Sequence, residues 1–271
     1  MKKHDLLIYV PTGIVPINVL TVDSSAYLPK LREKLPNSRL FAATSEDDDN
    51  GAYSRLKVER KIIDCRKDKL PFADGFFDII IAGECLTYSF LPYDAVLDIG
   101  RKLKDTGFMV TEFLNVRYHK VLEGLKGGRF DSWEKRFWTK HDAVKLFNDA
   151  VFKEIDFAFG ERDEKPHEGG YWEEYGFDNF SHDLSTKSWI LKAARSKASV
   201  CALKSLYTPQ VRRELARILH RIEYDVNREE NIAALKDLMA KEVIFPEYLM
   251  DFIDETCIHR SLVKKFVRLN T

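Results

Sequence analysis

Residues 69–88, KLPFADGFFDIIIAGECLTY, place groups suited to chemistry around a buried segment. A tight acidic turn, Ala73-Asp74-Gly75, precedes an apolar run from Phe76 to Ala82, and Gly83-Glu84 follows it. A carboxylate beside a glycine at the end of a strand can meet a polar ligand; equally, Asp74-Gly75 can be no more than a turn between packed strands. The other chemistry-bearing residues are scattered. Glu46-Asp47-Asp48-Asp49 is an acidic run of the kind that holds a metal, but such runs in turns are usually solvated. His119 reads as a solvated loop histidine, His141 as a cap-region residue of a helix, and Arg117 and Arg129 as surface arginines. Cys65, Cys85, Cys201 and Cys257 are far apart and form no metal-type pair, so no metal is expected. No nucleophile, zinc or phosphate-loop signature is present, and the absence of G-x-G-x-x-G argues against nicotinamide binding.

The elements that must position these residues alternate. Residues 5–10 (DLLIYV), 38–44, 60–65, 76–83 and 108–114 read as buried strands. Residues 26–35 and 93–107 show apolar spacing of helical period, and 139–150 reads as a helix with Thr139 as its N-cap. Residues 152–160 and 188–194 read as closing strands. Alternation of this kind predicts an α/β, Rossmann-like domain with a mostly parallel sheet, and Ile79-Ile80-Ile81 fits a sheet covered on both faces. Ligands then sit at the carboxyl ends of the strands, so the loops after residues 10, 44, 64 and 83 share one rim. Beyond residue 195 the strand signals stop. Residues 208–226, 228–243, 246–258 and 260–269 read as helices, the first with a stripe of Val211, Leu215, Ile218, Leu219, Ile222 and Val226. The expected division is 1–195 for the α/β domain and 196–271 for a C-terminal helical appendage.

Composition excludes several classes. The 43 basic and 43 acidic residues balance, so no nucleic-acid partner is expected. No apolar run approaches the length of a membrane span, and the Leu6–Val10 run is too short for a signal peptide. Free, separated cysteines suit a reducing, cytoplasmic setting.

Residues 36–195 resemble a class I S-adenosylmethionine-dependent methyltransferase, in particular a type 11 subgroup found beside surface-glycan genes. The resemblance is carried by Asp64, by Leu70-Pro71-Phe72 with Asp74-Gly75 and Phe77-Asp78, by GECLTY, by RKLKDTG, by FLNVRYHKVLEGLKGGRF and by RFWTKHDAVKLFNDAVFK. The helical tail resembles appendages of clostridial, hence bacterial, relatives. The resemblance implies S-adenosylmethionine as cofactor and a sugar or other small metabolite as methyl acceptor. It implies cofactor contacts from Tyr9, Gly13, Thr44, Asp64, Cys65, Gly83 and Glu84, with Asp64 and Cys65 flanking the adenine. It makes Tyr88 and His119 the candidate catalytic residues. The sequence departs from the family where the glycine-rich loop should follow the first strand, since only Gly13 stands in YVPTGIVPIN. It departs again at the ribose position, which falls on Thr44, with Glu46 and Asp23 as competing carboxylates. The alternative is therefore a fold that has lost its cofactor and serves as a binding or assembly module, self-associating through its tail.

Overall fold

The computed structural model describes residues 1–45, 52–130, 135–164, 170–196 and 207–270. Two expectations, the acidic run at 46–49 and Cys201, fall outside the described residues. The chain divides into two compact units, Met1–Ser196 and Lys197–Thr271.

The first unit is built on one sheet. Its strands are β1 (Lys2–Lys3), β2 (Asn18–Val22), β3 (Arg39–Thr44), β4 (Val58–Ile62), β5 (Phe77–Ile81), β6 (Leu103–Asn115), β7 (Phe137–Trp138), β8 (Glu154–Arg162) and β9 (Thr186–Ala194). They run in the order β4-β3-β2-β5-β6-β9-β8-β1, with β7 beside β6. The pairs β4–β3, β3–β2, β2–β5 and β5–β6 are parallel, whereas β9 is antiparallel to both β6 and β8. The helices are α1 (Leu28–Lys34), α2 (Ala52–Arg55), α3 (Cys85–Tyr88), α4 (Pro92–Lys102), α5 (His119–Lys126), α6 (Lys140–Asp149) and α7 (Gly170–Glu174).

Side chains alternate across each strand, so β2, β3 and β5 feed two cores. Leu20, Phe41, Phe77 and Ile80 pack with Val96 and Ile99 of α4 and Ala143 and Phe147 of α6. Val19, Leu40, Ile79 and Ile81 pack on the other face with Leu28 and Leu31 of α1. Thr139 caps α6 as its sequence predicts, accepting from the Asp142 N–H at 3.0 Å.

One expected strand is corrected. Residues 5–10 hold a 3-10 turn, Leu6–Tyr9, and the first parallel strand is Asn18–Val22. The Asp5 side chain caps the turn by accepting from Leu7 N–H at 2.9 Å. Leu6 and Leu7 are both 2% exposed, so the turn sends its leucines into the core without joining the sheet. A smaller correction concerns β6, which starts at Leu103 instead of 108. Its register against β5 shifts between Phe77 and Ile79. A Cβ on Gly107 would lie 3.0 Å from the backbone oxygens of both Phe77 and Asp78, so glycine is required there.

The acidic turn before β5 is a structural latch. Lys102 Nζ meets Asp74 at 2.8 Å, and the Gly75 and Phe76 N–H groups donate to Arg101 and Lys102 carbonyls, each at 2.9 Å. Asp78 accepts from Asn18 N–H and from Lys104 Nζ, both at 2.8 Å, tying β5 to the start of β2. Gly75 sits at φ +67 with open space around its α-carbon. Gly75→Ala is expected to cost about 1 kcal/mol by backbone strain alone, read as a lower denaturant midpoint with unchanged slope.

The second unit holds α8 (Pro209–Glu223), α9 (Arg228–Lys241), α10 (Pro246–Thr256) and α11 (Arg260–Asn270). Thr208 caps α8 through Val211 N–H. Leu215, Leu219, Ile222, Leu235, Tyr248, Leu249, Ile253 and Val263 form its core. Val226, expected on the buried stripe, lies past the end of α8 and is 49% exposed.

Candidate functional site

In an open parallel sheet the crevice for ligands opens where the strand order reverses, here between β2 and β5. A cleft of about 830 Å³ lies there, walled by the segments that follow β2, β3, β4 and β5 and by the end of β6. That volume is typical of small-molecule sites, about 300–1,000 Å³.

The loop after β2 organises it. Asp23 has φ +43, a left-handed conformation that Asp and Asn tolerate better than most residues. Its N–H donates to Ala43 O at 2.9 Å, and its carboxylate accepts from Ser45 N–H at 2.8 Å and Ser45 Oγ at 2.8 and 3.0 Å. One carboxylate thus bridges the ends of β2 and β3. Ser24 Oγ donates to Val22 O at 2.8 Å and accepts from Gly83 N–H at 2.9 Å, lacing the β2 loop to the β5 loop. A Cβ on Gly83 would lie 3.1 Å from the Leu6 side chain and 3.2 Å from Ser24 Oγ, so a larger residue there would have to displace one of them. Opposite, Glu112 of β6 accepts from Ser188 Oγ at 2.5 Å. Ser89, past α3, is 4% exposed, and its Oγ has no hydrogen-bond partner among the described residues.

The electrostatics are lopsided. Among the described lining residues six are carboxylates, Asp23, Asp68, Glu84, Asp98, Glu112 and Glu161, against four cations, Lys3, Arg66, Lys135 and Lys187. Glu161 is already neutralised, by Lys3 at 3.0 Å and Lys187 at 2.6 Å. The remainder of the cleft keeps a negative excess. Glu84 shows its effect: although the residue is exposed at the cleft, partial desolvation of its carboxyl and the charge of Asp23 raise its pKa. Burial, then Asp23, push the Cys65 thiol up to about 12. The arrangement can hold a cation beside hydrogen-bonding groups, and its cysteines are poor nucleophiles.

The structure gathers Thr44, Cys65, Gly83, Glu84 and Tyr88 around this cleft. It places the other expected residues elsewhere. Tyr9 and Gly13 precede β2 and so stand at no strand end. The Tyr9 hydroxyl is raised to about 12 by burial, and Gly13 N–H donates to Lys34 O. The loop that follows the first parallel strand is Asp23-Ser24-Ser25-Ala26, with no glycine. Asp64 is not among the lining residues. Its carboxylate accepts from Arg66 N–H at 3.1 Å and pairs with Lys67 at 3.2 Å, which hold its pKa low. His119 is not a solvated loop residue: it opens α5, 3% exposed, with Nε2 2.9 Å from Asp163 and Nδ1 3.1 Å from Glu123. It braces α5 to the end of β8 and lies outside the lining. Ser24, Ser45, Ser89 and Glu112 were not singled out by the sequence; the signal for the first was the INVLTVDSS stretch, a strand pattern running into a polar turn.

Neither a family model nor a curated protein sequence matches this chain. Solved structures do. A SAM-dependent methyltransferase from Archaeoglobus fulgidus superposes with a TM-score of 0.50 at 14% identity, over 69% of this chain and 90% of that one. A SAM-dependent methyltransferase from Thermotoga maritima gives 0.49 at 12% identity, over 70% and 86%. Geranyl diphosphate C-methyltransferase from Streptomyces coelicolor A3(2), solved with S-adenosyl-L-homocysteine, gives 0.47 at 15% identity, over 69% and 72%. At these identities the likeness is one of fold. Together with the strand order, the Archaeoglobus fulgidus superposition makes the first unit a Rossmann-like, methyltransferase-type α/β fold, followed in the chain by helices.

Proposed function

We propose that the chain is an S-adenosylmethionine-dependent methyltransferase acting on a small molecule, with a sugar of surface-glycan assembly as the acceptor class its sequence resemblance suggests. The observation that carries this reading is the negative cleft at the β2/β5 switch point, centred on Asp23 and Glu84. The cofactor bears a sulfonium and an ammonium group, and a low-dielectric cleft rich in carboxylates attracts both. The donor set fits. Asp23 and Ser45 offer oxygens where a ribose would be held, and Glu84 offers a charge for a cation. The left-handed turn that glycine would give the β2 loop is supplied by Asp23. Thr44, Cys65 and Gly83 complete that wall. When bound, the cofactor supplies an electrophilic methyl group. Glu112, held by Ser188, is the carboxylate we assign to receive the proton of an acceptor hydroxyl, and Tyr88 and Ser89, whose Oγ has no partner among the described residues, are assigned to orient the acceptor.

Residues 1–195 are the methyltransferase domain in this proposal and 196–271 an appendage. The glycine-free β2 loop favours a second reading, a fold kept for binding or assembly. Calorimetric titration with S-adenosylmethionine and S-adenosylhomocysteine separates the two. The first reading expects saturable binding below about 1 mM; no heat with either ligand at that concentration selects the second.

The pH profile of binding follows from Glu84. Its raised pKa keeps the group protonated to a higher pH than an ordinary glutamate. A cationic ligand needs the carboxylate form, so affinity is expected to rise with pH through the raised pKa and then level off. Titrations from about pH 4 to 8, which take in the ordinary glutamate range and the range above it, check this, and a flat profile would remove Glu84 from the site.

A further inference from the structure

A second cluster lies in the helical unit, where three different ligand types converge. His220 and Glu223 are three residues apart on α8, hence on one face, and Cys257 caps the end of α10. The His220 ring nitrogen, a Glu223 carboxylate oxygen and the Cys257 sulfur all lie within 4.8 Å of one another. The Glu223 side chain is fully buried and Cys257 is 3% exposed, whereas 44% of the His220 side chain faces solvent. A carboxylate placed inside a helical core asks for a cationic or hydrogen-bonding partner. Glu223 Oε1 accepts from the His259 backbone N–H, and this fixes the carboxylate plane. Oε2 is thereby turned to His220 Nδ1, 3.0 Å away.

We propose that His220 Nδ1, Glu223 Oε2 and Cys257 Sγ form a binding site for a borderline-soft divalent cation, zinc before others, with a fourth position open to water on the solvent side of His220. The donor set discriminates: a thiolate disfavours magnesium and calcium, and one sulfur, one imidazole and one carboxylate suit tetrahedral zinc. The geometry is close. Two bonds of about 2.0 Å at a tetrahedral angle put nitrogen and oxygen about 3.3 Å apart, against the 3.0 Å observed. The sulfur belongs about 3.5 Å from each of them, a closure within the reach of a Cys257 side-chain rotation. The His259 N–H is the outer contact that orients a ligating carboxylate. On binding, the thiol proton leaves to solvent, the Nδ1 proton that His220 shares with Glu223 is released or moves to Nε2 so that the ligating imidazole is neutral with its proton on Nε2, and the cation replaces the hydrogen bond between His220 and Glu223. The site rests on residues of the helical unit alone, so it stands or falls independently of cofactor binding.

Cobalt(II) is the probe, because a Co–thiolate bond gives a near-ultraviolet charge-transfer band. Titrating the full-length chain is expected to develop that band with saturation at a single equivalent, and zinc is expected to displace it. Cys257→Ala should abolish the band. His220→Ala, a substitution at a half-exposed side chain, should weaken cobalt binding by about tenfold or more. A chain that develops no band in excess cobalt, or a band that persists in Cys257→Ala, overturns the proposal and leaves the cluster a hydrogen-bonded brace. If Cys257→Ala does not fold, His220→Ala decides: unchanged cobalt affinity overturns the site.

Discussion

Asp23→Asn is expected to weaken S-adenosylmethionine binding by about five- to a hundredfold, the loss of one hydrogen bond to a charged acceptor at 1–3 kcal/mol. The substitution keeps the side chain's size and its tolerance of φ +43. It removes a charge from the wall that bridges β2 and β3, and it leaves one acceptor oxygen for the two Ser45 donors instead of two. A second readout separates a binding role from a merely structural one. Asp23 is one of the two leading causes of the raised Glu84 pKa, after desolvation. Without it, Glu84 ionises at lower pH, so the rise of affinity with pH should move downward in Asp23→Asn while its plateau falls. Asp64→Asn serves as the control. The family resemblance places Asp64 at the adenine, but its carboxylate is engaged by Arg66 N–H and Lys67 within its own turn. Less than about a twofold change is expected, since rim charges outside a site contribute little. A large loss in Asp64→Asn with none in Asp23→Asn would relocate the ligand and restore the sequence-based placement.

The contrast between these two aspartates shows what was readable in the sequence. Strands β3 and β5, the caps of α6 and α8 and the antiparallel β9 carry signals that local physics fixes: two-sided apolar runs, a Thr at the N-cap, a Pro at the first helical position. The first strand failed because Leu6 to Val10 and Asn18 to Val22 are both five-residue runs between turn signals, and periodicity cannot separate a short strand from a short helical turn. Asp5, capping Leu7, was the discriminating residue. Misplacing that strand moved the loop expected at its carboxyl end from Asp23 to Gly13. His119 went astray for a different reason. Its partner Asp163 is 44 residues away, and the pairing depends on α5 meeting the end of β8, a tertiary event with no local trace. The Glu112–Ser188 bond likewise spans β6 and β9.

The LPFADGFFD stretch, one of those that carry the methyltransferase resemblance, has mainly a packing role, and Phe77→Ala tests this. Phe77 is 0% exposed. Its ring meets Phe41, Phe72 and Phe76 edge-on, with centroids 5.3, 5.1 and 5.0 Å away. Two of those partners come from the same LPFADGFFD segment, and the third from β3, so the cluster locks the turn and β5 against the neighbouring strands. Truncation removes a buried ring from a site walled by other aromatic rings and by apolar side chains of the core, and leaves a cavity there. The expected loss is about 3–5 kcal/mol, with the three edge-to-face contacts placing it toward the upper end of that range. That is a large part of the roughly 5–15 kcal/mol available to a typical domain. Denaturant unfolding should show a sharply lowered midpoint, and the same measurement on Phe72→Ala, whose ring is only partly buried, should show a smaller one. Because the rings lie in the core and not among the lining residues, any Phe77→Ala protein that remains folded should bind S-adenosylmethionine nearly as the parent does. A stable Phe77→Ala with lost binding would reverse the assignment, making this segment part of the ligand site.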